Sequence, residues 1–155
     1  TVRIKMDNNC RFCDLAHGRR ACQKVYEDDR FLAFLDRCPV NEGHVLVIPK
    51  AHVVEFQDAE DETYLSMMTL VKQIGKAIKS CFQPVRVGVL IAGFHVAHAH
   101  VHVIPMFSIS DVATSRVHNN EWQEASSEAL ETVADKLRLY LSLPDHDARA
   151  TGASQ

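Results

Sequence analysis

The stretch Val96-Ala97-His98-Ala99-His100-Val101-His102-Val103-Ile104-Pro105 alternates histidine with small or β-branched residues, and its reading decides the fold. Strict alternation marks a β-strand, because successive side chains project to opposite faces. His98, His100 and His102 then form a row on one face, about 6.5 Å apart at a rise of roughly 3.3 Å per residue. Ala99, Val101 and Val103 turn the other way, into a core. A lone strand histidine is ordinarily a satisfied core or surface residue, but three in alternation with His95 just ahead of them point to chemistry. Neutral imidazole is a competent nucleophile near neutral pH, and its attack on phosphorus splits one displacement into two through a phosphohistidine adduct. Neighbouring histidines and backbone N–H groups supply donors for the charge that builds on the phosphate oxygens.

Working outward, Gly93 turns the chain into this strand, and Val85 to Ala92 is apolar and β-branched enough to predict a buried strand before it. Leu65, Met68, Val71, Ile74, Ala77 and Ile78 recur at steps of three and four between Asp58 and about Phe82. With acids early and lysines late, this predicts the most secure helix, ended by Pro84. Gly43-His44-Val45-Leu46-Val47-Ile48-Pro49 predicts a well-buried strand entered through the turn Cys38-Pro39-Val40-Asn41-Glu42. Val25 to Asp36 predicts a hairpin around Glu27-Asp28-Asp29-Arg30. A further helix is predicted from about Asn120 to Leu143, with Trp122, Leu130, Val133, Leu137 and Leu141 on one face, and the polar tail 144–155 is expected to be frayed. The order of elements gives an α+β fold: a mainly antiparallel sheet with one long helix, an additional C-terminal helix, and the helices on one side.

The 155 residues, 46% hydrophobic and 24% charged, suit one soluble globular domain, and no apolar run is long enough to span a bilayer. Thr1 to Cys10 lacks the apolar stretch of a secretory signal. Five cysteines, an odd number, argue for reduced thiols or a metal site and hence for a cytoplasmic protein. A net charge of −3 with no clustered basic face argues against nucleic acid as a partner, so a phosphate ligand needs a local site. The six glycines are scattered, and neither a P-loop nor a dinucleotide fingerprint is present. Cys10-Arg11-Phe12-Cys13 has the spacing of a structural zinc pair that takes two more ligands from distant segments. The strand histidines could themselves hold a catalytic zinc, and the residues alone leave both metal readings open.

His98-Ala99-His100-Val101-His102-Val103-Ile104 resembles the His-x-His-x-His-x-x signature of the histidine-triad (HIT) family. Further blocks are similar, in order, to its Hint-like branch: Cys10-x-x-Cys13, Val25 to Asp28, Ala33 to Asp36, Pro39, Gly43 to Lys50, and His52. The resemblance implies a HIT-like domain over 10–107, flanked by an N-terminal extension 1–9, a C-terminal helical extension 108–143 and a flexible tail 144–155. It implies a hydrolase or transferase acting at the α-phosphate of purine nucleoside phosphoramidates or dinucleoside polyphosphates. His100 would be the nucleophile, His102 a contact to phosphate or leaving group, and His44 a fourth histidine beside them. Asp36 would bind the ribose hydroxyls, and Phe34, Leu35 and Arg37 would line the base pocket. Structural zinc would take Cys10, Cys13, His52 and His98, leaving no open position for water. Homodimers paired through Asp58 to Ser80 and Val85 to Ala92 are also implied. The chain departs from the family pattern in Val89 to Ala97, where amide side chains are lost, and at Met106 in place of an arginine. His95 replaces a serine, threonine or acid, which bears on the leaving group. The altered loop raises a second reading, a nucleotide-binding regulatory module with little turnover.

Overall fold

The computed structural model describes residues 9–113 and 123–143. Among them are five strands, β1 (Lys24–Glu27), β2 (Phe31–Leu35), β3 (Val45–Pro49), β4 (Arg86–Leu90) and β5 (Val101–Met106). They form one sheet in the order β1-β2-β3-β5-β4, with every neighbouring pair antiparallel. The helices are α1 (Arg11–Ala16), α2 (Asp61–Phe82), α3 (Ser110–Ala113) and α4 (Ser127–Leu141), with a 3-10 turn at Phe56–Asp58.

The expected hairpin forms because Asp28 folds its carboxylate over the turn and accepts the backbone N–H groups of Arg30 and Phe31 at 2.8 and 2.7 Å. Gly43 brings the chain into β3 at φ +94°, where a Cβ would stand 2.7 Å from the Phe82 ring at the end of α2. The glycine is therefore required both by backbone conformation and by the close approach of that helix. α2 carries Asp61 and Glu62 in its first turn and Lys79 in its last, and stops at Gln83 in the left-handed region just before Pro84.

Alternation along the central strands sorts the core into two layers. Phe31, Ala33, Leu35, Val45, Val47, Val101 and Val103 meet Met67, Ile74 and Ile78 of α2 and Leu130, Val133 and Leu137 of α4. Leu32, Phe34, Leu46 and Ile48 meet Phe12, Cys13 and Leu15 of α1. Covering both faces explains why β2 and β3 are buried at every position.

Several expectations change. The helices are not all on one side: α1, to which the sequence reading gave no element, lies on the face opposite α2 and α4. The stretch at Val85 to Ala92 is a sheet edge rather than a buried strand, with Val85 and Val89 58% and 51% exposed. Leu65 of α2 is exposed instead of packed. The histidine strand begins only at Val101. In the register that sets Val47 opposite Val101, Pro49 would face Ala99. Proline has no N–H to offer, its carbonyl accepts from the His98 ring, and the Ala99 N–H goes to Val53. His98 consequently stands in a bend, its N–H reaching back to the Val96 carbonyl, His100 stands on the lead-in to the strand, and only His102 lies within β5. α4 is capped by the Ser126 hydroxyl, which accepts from the Ala129 N–H. Trp122 and the start expected at Asn120 fall outside the described residues, as do 1–8 and the tail 144–155. No helix among the described residues is long and apolar enough to cross a membrane.

Candidate active site and metal cluster

Hydrogen bonds on the α1 face fix the ring tautomers one after another. The His98 Nε2–H donates to the Pro49 carbonyl at 2.8 Å, which leaves its Nδ1 with a lone pair. That Nδ1 lies 3.4 Å from Cys10 Sγ, 3.6 Å from Cys13 Sγ and 3.3 Å from His52 Nδ1, and His52 Nδ1 is 3.3 Å from Cys13 Sγ. A tetrahedral zinc centre with ordinary bond lengths has S···N edges of about 3.5 Å and N···N edges of about 3.3 Å. The three S···N contacts and the N···N contact stand at those separations, all four ligand atoms lie within 4.8 Å of one another, and the His98–Pro49 bond is the outer-sphere contact such a ligand needs. Burial pushes His98 down to about 4, so its ring is neutral and able to ligate. The cluster can hold a metal ion with four protein ligands.

His100, 6% exposed, donates from Nδ1 to the His98 carbonyl at 2.6 Å. In the neutral ring this puts the lone pair on Nε2. His44 Nδ1 accepts the Val40 N–H at 3.2 Å, so its proton sits on Nε2 and is donated to His102 Nδ1 at 3.0 Å. His102 must then carry its own proton on Nε2. Burial first of all drives both rings down to about 3 and keeps them neutral. The 3.8 Å approach of His44 Nε2 to Asp36 Oδ2 is for that reason not an ion pair. Asp36, His44 and His102 also come within ligand distance of one another, but hydrogen bonds spend the His44 lone pair, and the group is a hydrogen-bonded histidine pair beside a carboxylate rather than a metal site.

His100 and His102, with ring centroids 5.0 Å apart, open onto a cavity of about 250 Å³ between α1, β2 and the Gly93–Val96 loop. Phe34, Leu35, Asp36, Arg37 and His95, the nucleotide-contact candidates of the sequence, are among the residues that line it. His98 and His44 do not: the first belongs to the cysteine cluster, the second stands behind His102. Burial raises the Asp36 carboxyl, while the Cys38 N–H at 2.9 Å and the charge of Arg11 pull it back. Arg37 is braced by Glu124, and its carbonyl accepts the Ala125 N–H at 2.9 Å. Sequence reasoning missed Arg11, Phe12, Leu15 and Arg20 as lining residues. The signal was present, since Phe12, Leu15 and Ala16 follow a three- and four-residue step, but it spans only six residues.

The HIT domain family model matches residues 18–109. The adenylylsulfatase HINT3 of Arabidopsis thaliana is 30% identical over 145 residues, covering 90% of this chain and 74% of that protein. The adenosine 5'-monophosphoramidase hnt1 of Schizosaccharomyces pombe is 39% identical over 102 residues, covering 63% of this chain and 74% of its own length. Among solved structures, a zinc-bound histidine triad family protein from Mycobacterium smegmatis superimposes with a TM-score of 0.70 at 28% identity, covering 86% of this chain and 93% of that one. With a sheet, a histidine relay and a sequence match that all agree, the chain belongs to the HIT domain family.

Proposed function

We propose that the protein is a nucleotide hydrolase or transferase that cleaves at the α-phosphate of nucleoside phosphoramidates or dinucleoside polyphosphates through a nucleotidyl adduct on His100. The observation that carries the reading is the pair of opposite tautomers at the cavity floor, where His100 offers a lone pair and His102 beside it an N–H. His100 Nε2 attacks the phosphorus, the N–P bond forms, and the bond to the bridging nitrogen or oxygen breaks with its electrons leaving on that atom. The His102 N–H donates to the charge that develops, and His44 holds it in the donating tautomer. Water then attacks the phosphorus, its O–P bond forms as the N–P bond breaks, the N–P electrons return to Nε2, and the proton that the water loses passes to solvent.

Asp36 receives the ribose hydroxyls, Phe34, Leu35 and Arg37 wall the base, and His95 stands on the leaving-group side. Arg11, Arg20 and Arg37 line one cavity in a chain of net charge −3, and although Asp14 and Glu124 pair with Arg20 and Arg37, the guanidinium groups suit a phosphate-bearing substrate. The activities named for the Arabidopsis and fission-yeast relatives, both hydrolases, agree with this chemistry. The ion held by Cys10, Cys13, His52 and His98 is zinc in a structural role. Its support is the S···N and N···N separations of the cluster, which fit tetrahedral zinc, together with the zinc-bound relative. Bound there, zinc ties the N-terminal loop to the catalytic lead-in.

The test is intact-mass analysis after mixing with adenosine phosphoramidate and diadenosine polyphosphates. The wild type is expected to carry a nucleotidyl mass that His100→Ala lacks, with steady turnover lost in the variant; unchanged turnover by His100→Ala sinks the proposal. A second reading, a nucleotide-binding module with little turnover, draws on the loop at Phe94, 91% exposed beside the cavity residue His95. Fast single-turnover loss of substrate excludes it.

A further inference from the structure

We infer that Phe12 is a positioning residue for His100, which it links to the cysteine cluster. The inference rests on the proposed nucleophilic role of His100. Phe12 lies between Cys10 and Cys13, so a filled cluster anchors its backbone on both sides. Its ring, 6% exposed, stands edge-on to His100 at 5.1 Å and 84°, to His98 at 6.0 Å and 75°, and to Phe34 at 5.7 Å and 71°. Aromatic rings at these distances and angles attract one another in a defined orientation.

An imidazole held by a single hydrogen bond can still turn about its last torsion, which is broad for histidine. For His100 such a turn gives up the 2.6 Å bond from Nδ1 to the His98 carbonyl and exchanges a nitrogen for a carbon at the cavity. The edge-on Phe12 ring blocks that turn from the flank. The carbonyl that holds Nδ1 belongs to His98, whose own ring is a cluster ligand candidate. The nucleophile is thus clamped twice by residues tied to one cluster, through the ring of Phe12 between its two cysteines and through the carbonyl of its ligand candidate His98. Filling the cluster fixes both clamps.

Phe12→Leu keeps an apolar side chain in the gap without the flat ring, and Phe12→Tyr keeps the ring. Long-range nitrogen–proton correlation spectra of His100 in the zinc-loaded, substrate-free protein read the tautomer with no turnover involved. Wild type and Phe12→Tyr are expected to show the Nδ1–H form alone, and Phe12→Leu a mixture. Single-turnover reaction with adenosine phosphoramidate is expected to slow about tenfold or more at saturation in Phe12→Leu, with half-saturation changed less than about threefold, because misplacing a reacting group costs rate rather than binding. If Phe12→Leu loads zinc poorly, chelated wild type is read in its place and is expected to show the same mixture. A lone Nδ1–H form in Phe12→Leu, or in chelated wild type where that replaces it, overturns the inference, as does a loss confined to half-saturation, which would make Phe12 a cavity wall only. An inactive His100 would instead defeat the proposed function and leave the tautomer measurement standing.

Discussion

At the scale of single residues, the site is a set of imidazoles whose orientation and proton are each fixed by a hydrogen bond, and burial keeps His44, His98 and His102 neutral. His44 shows what that neutrality costs. Its unfolded ring takes up a proton near 6.5, whereas burial delays this to about 3 in the folded chain. Between those values the unfolded chain binds more protons, so stability falls as pH falls; above 6.5 both states are neutral and the dependence is flat. For His44 alone the loss is about 2 kcal/mol by pH 5. His102 adds to it in the same direction. Asp36 works the other way: its carboxyl is raised on folding, which favours the folded state in acid, an advantage lost as pH rises through its folded value. Guanidinium midpoints at pH 7 and pH 5 check this, with a clear drop expected in the wild type and a shallower one in His44→Gln. Equal slopes would show that His44 does not titrate with unfolding. The histidines were legible as a cluster in the sequence because three of them alternate. Their tautomers were not, since these depend on the carbonyls of Pro49 and His98 and the N–H of Val40, which no side-chain pattern records.

At the scale of elements, strands and α2 could be read from periodicity because each buries a face long enough to repeat its signal. α1 could not. Six residues make fewer than two turns, the side chain of its N-cap Cys10 does not cap the helix, and helices this short do not persist alone in water. Its stability comes from Phe12 and Leu15 packed on Phe34 and Leu46, and from the cysteine cluster. The strand boundary at Val101 was equally hidden, because it is set by what Pro49 cannot donate rather than by any change in the alternating pattern. Stripping the metal is therefore expected to release α1 while the sheet survives. Hydrogen exchange checks this, with amides of Asp14 and His17, which donate to Cys10 and Cys13 carbonyls, losing protection on chelation. Amides of Leu32 to Leu35 in β2 are expected to keep theirs. Uniform loss across both would mean that the cluster holds the whole domain, and no loss in either would mean that it holds nothing.

At the scale of the whole molecule, the sheet has two edges of different character. β1 packs against α4, and Arg138 of that helix donates to the Lys24 carbonyl. β4 runs along the other edge, where Val85 just before the strand and Val89 and Leu90 within it are 58%, 51% and 38% exposed. Exposed apolar side chains beside an open strand edge favour pairing with another strand, and neither proline nor lysine interrupts Arg86–Leu90 to discourage it. The exposed Leu65 on α2 adds apolar surface outside the core. We expect the protein to be a homodimer joined through β4 and α2. An isologous pair across a two-fold axis closes the assembly and leaves no free edge at the interface, whereas an unclosed contact would build fibres. Sedimentation equilibrium is expected to return twice the 17.4 kDa chain mass at micromolar concentration. Val89→Lys places a charge on the edge and is expected to shift the equilibrium to monomer, while the Cys10, Cys13, His52 and His98 cluster, on α1 and two loops, is expected to bind metal as before. A wild type that sediments as a monomer, or a Val89→Lys variant that remains dimeric, would mean that this edge is covered by something other than a second copy.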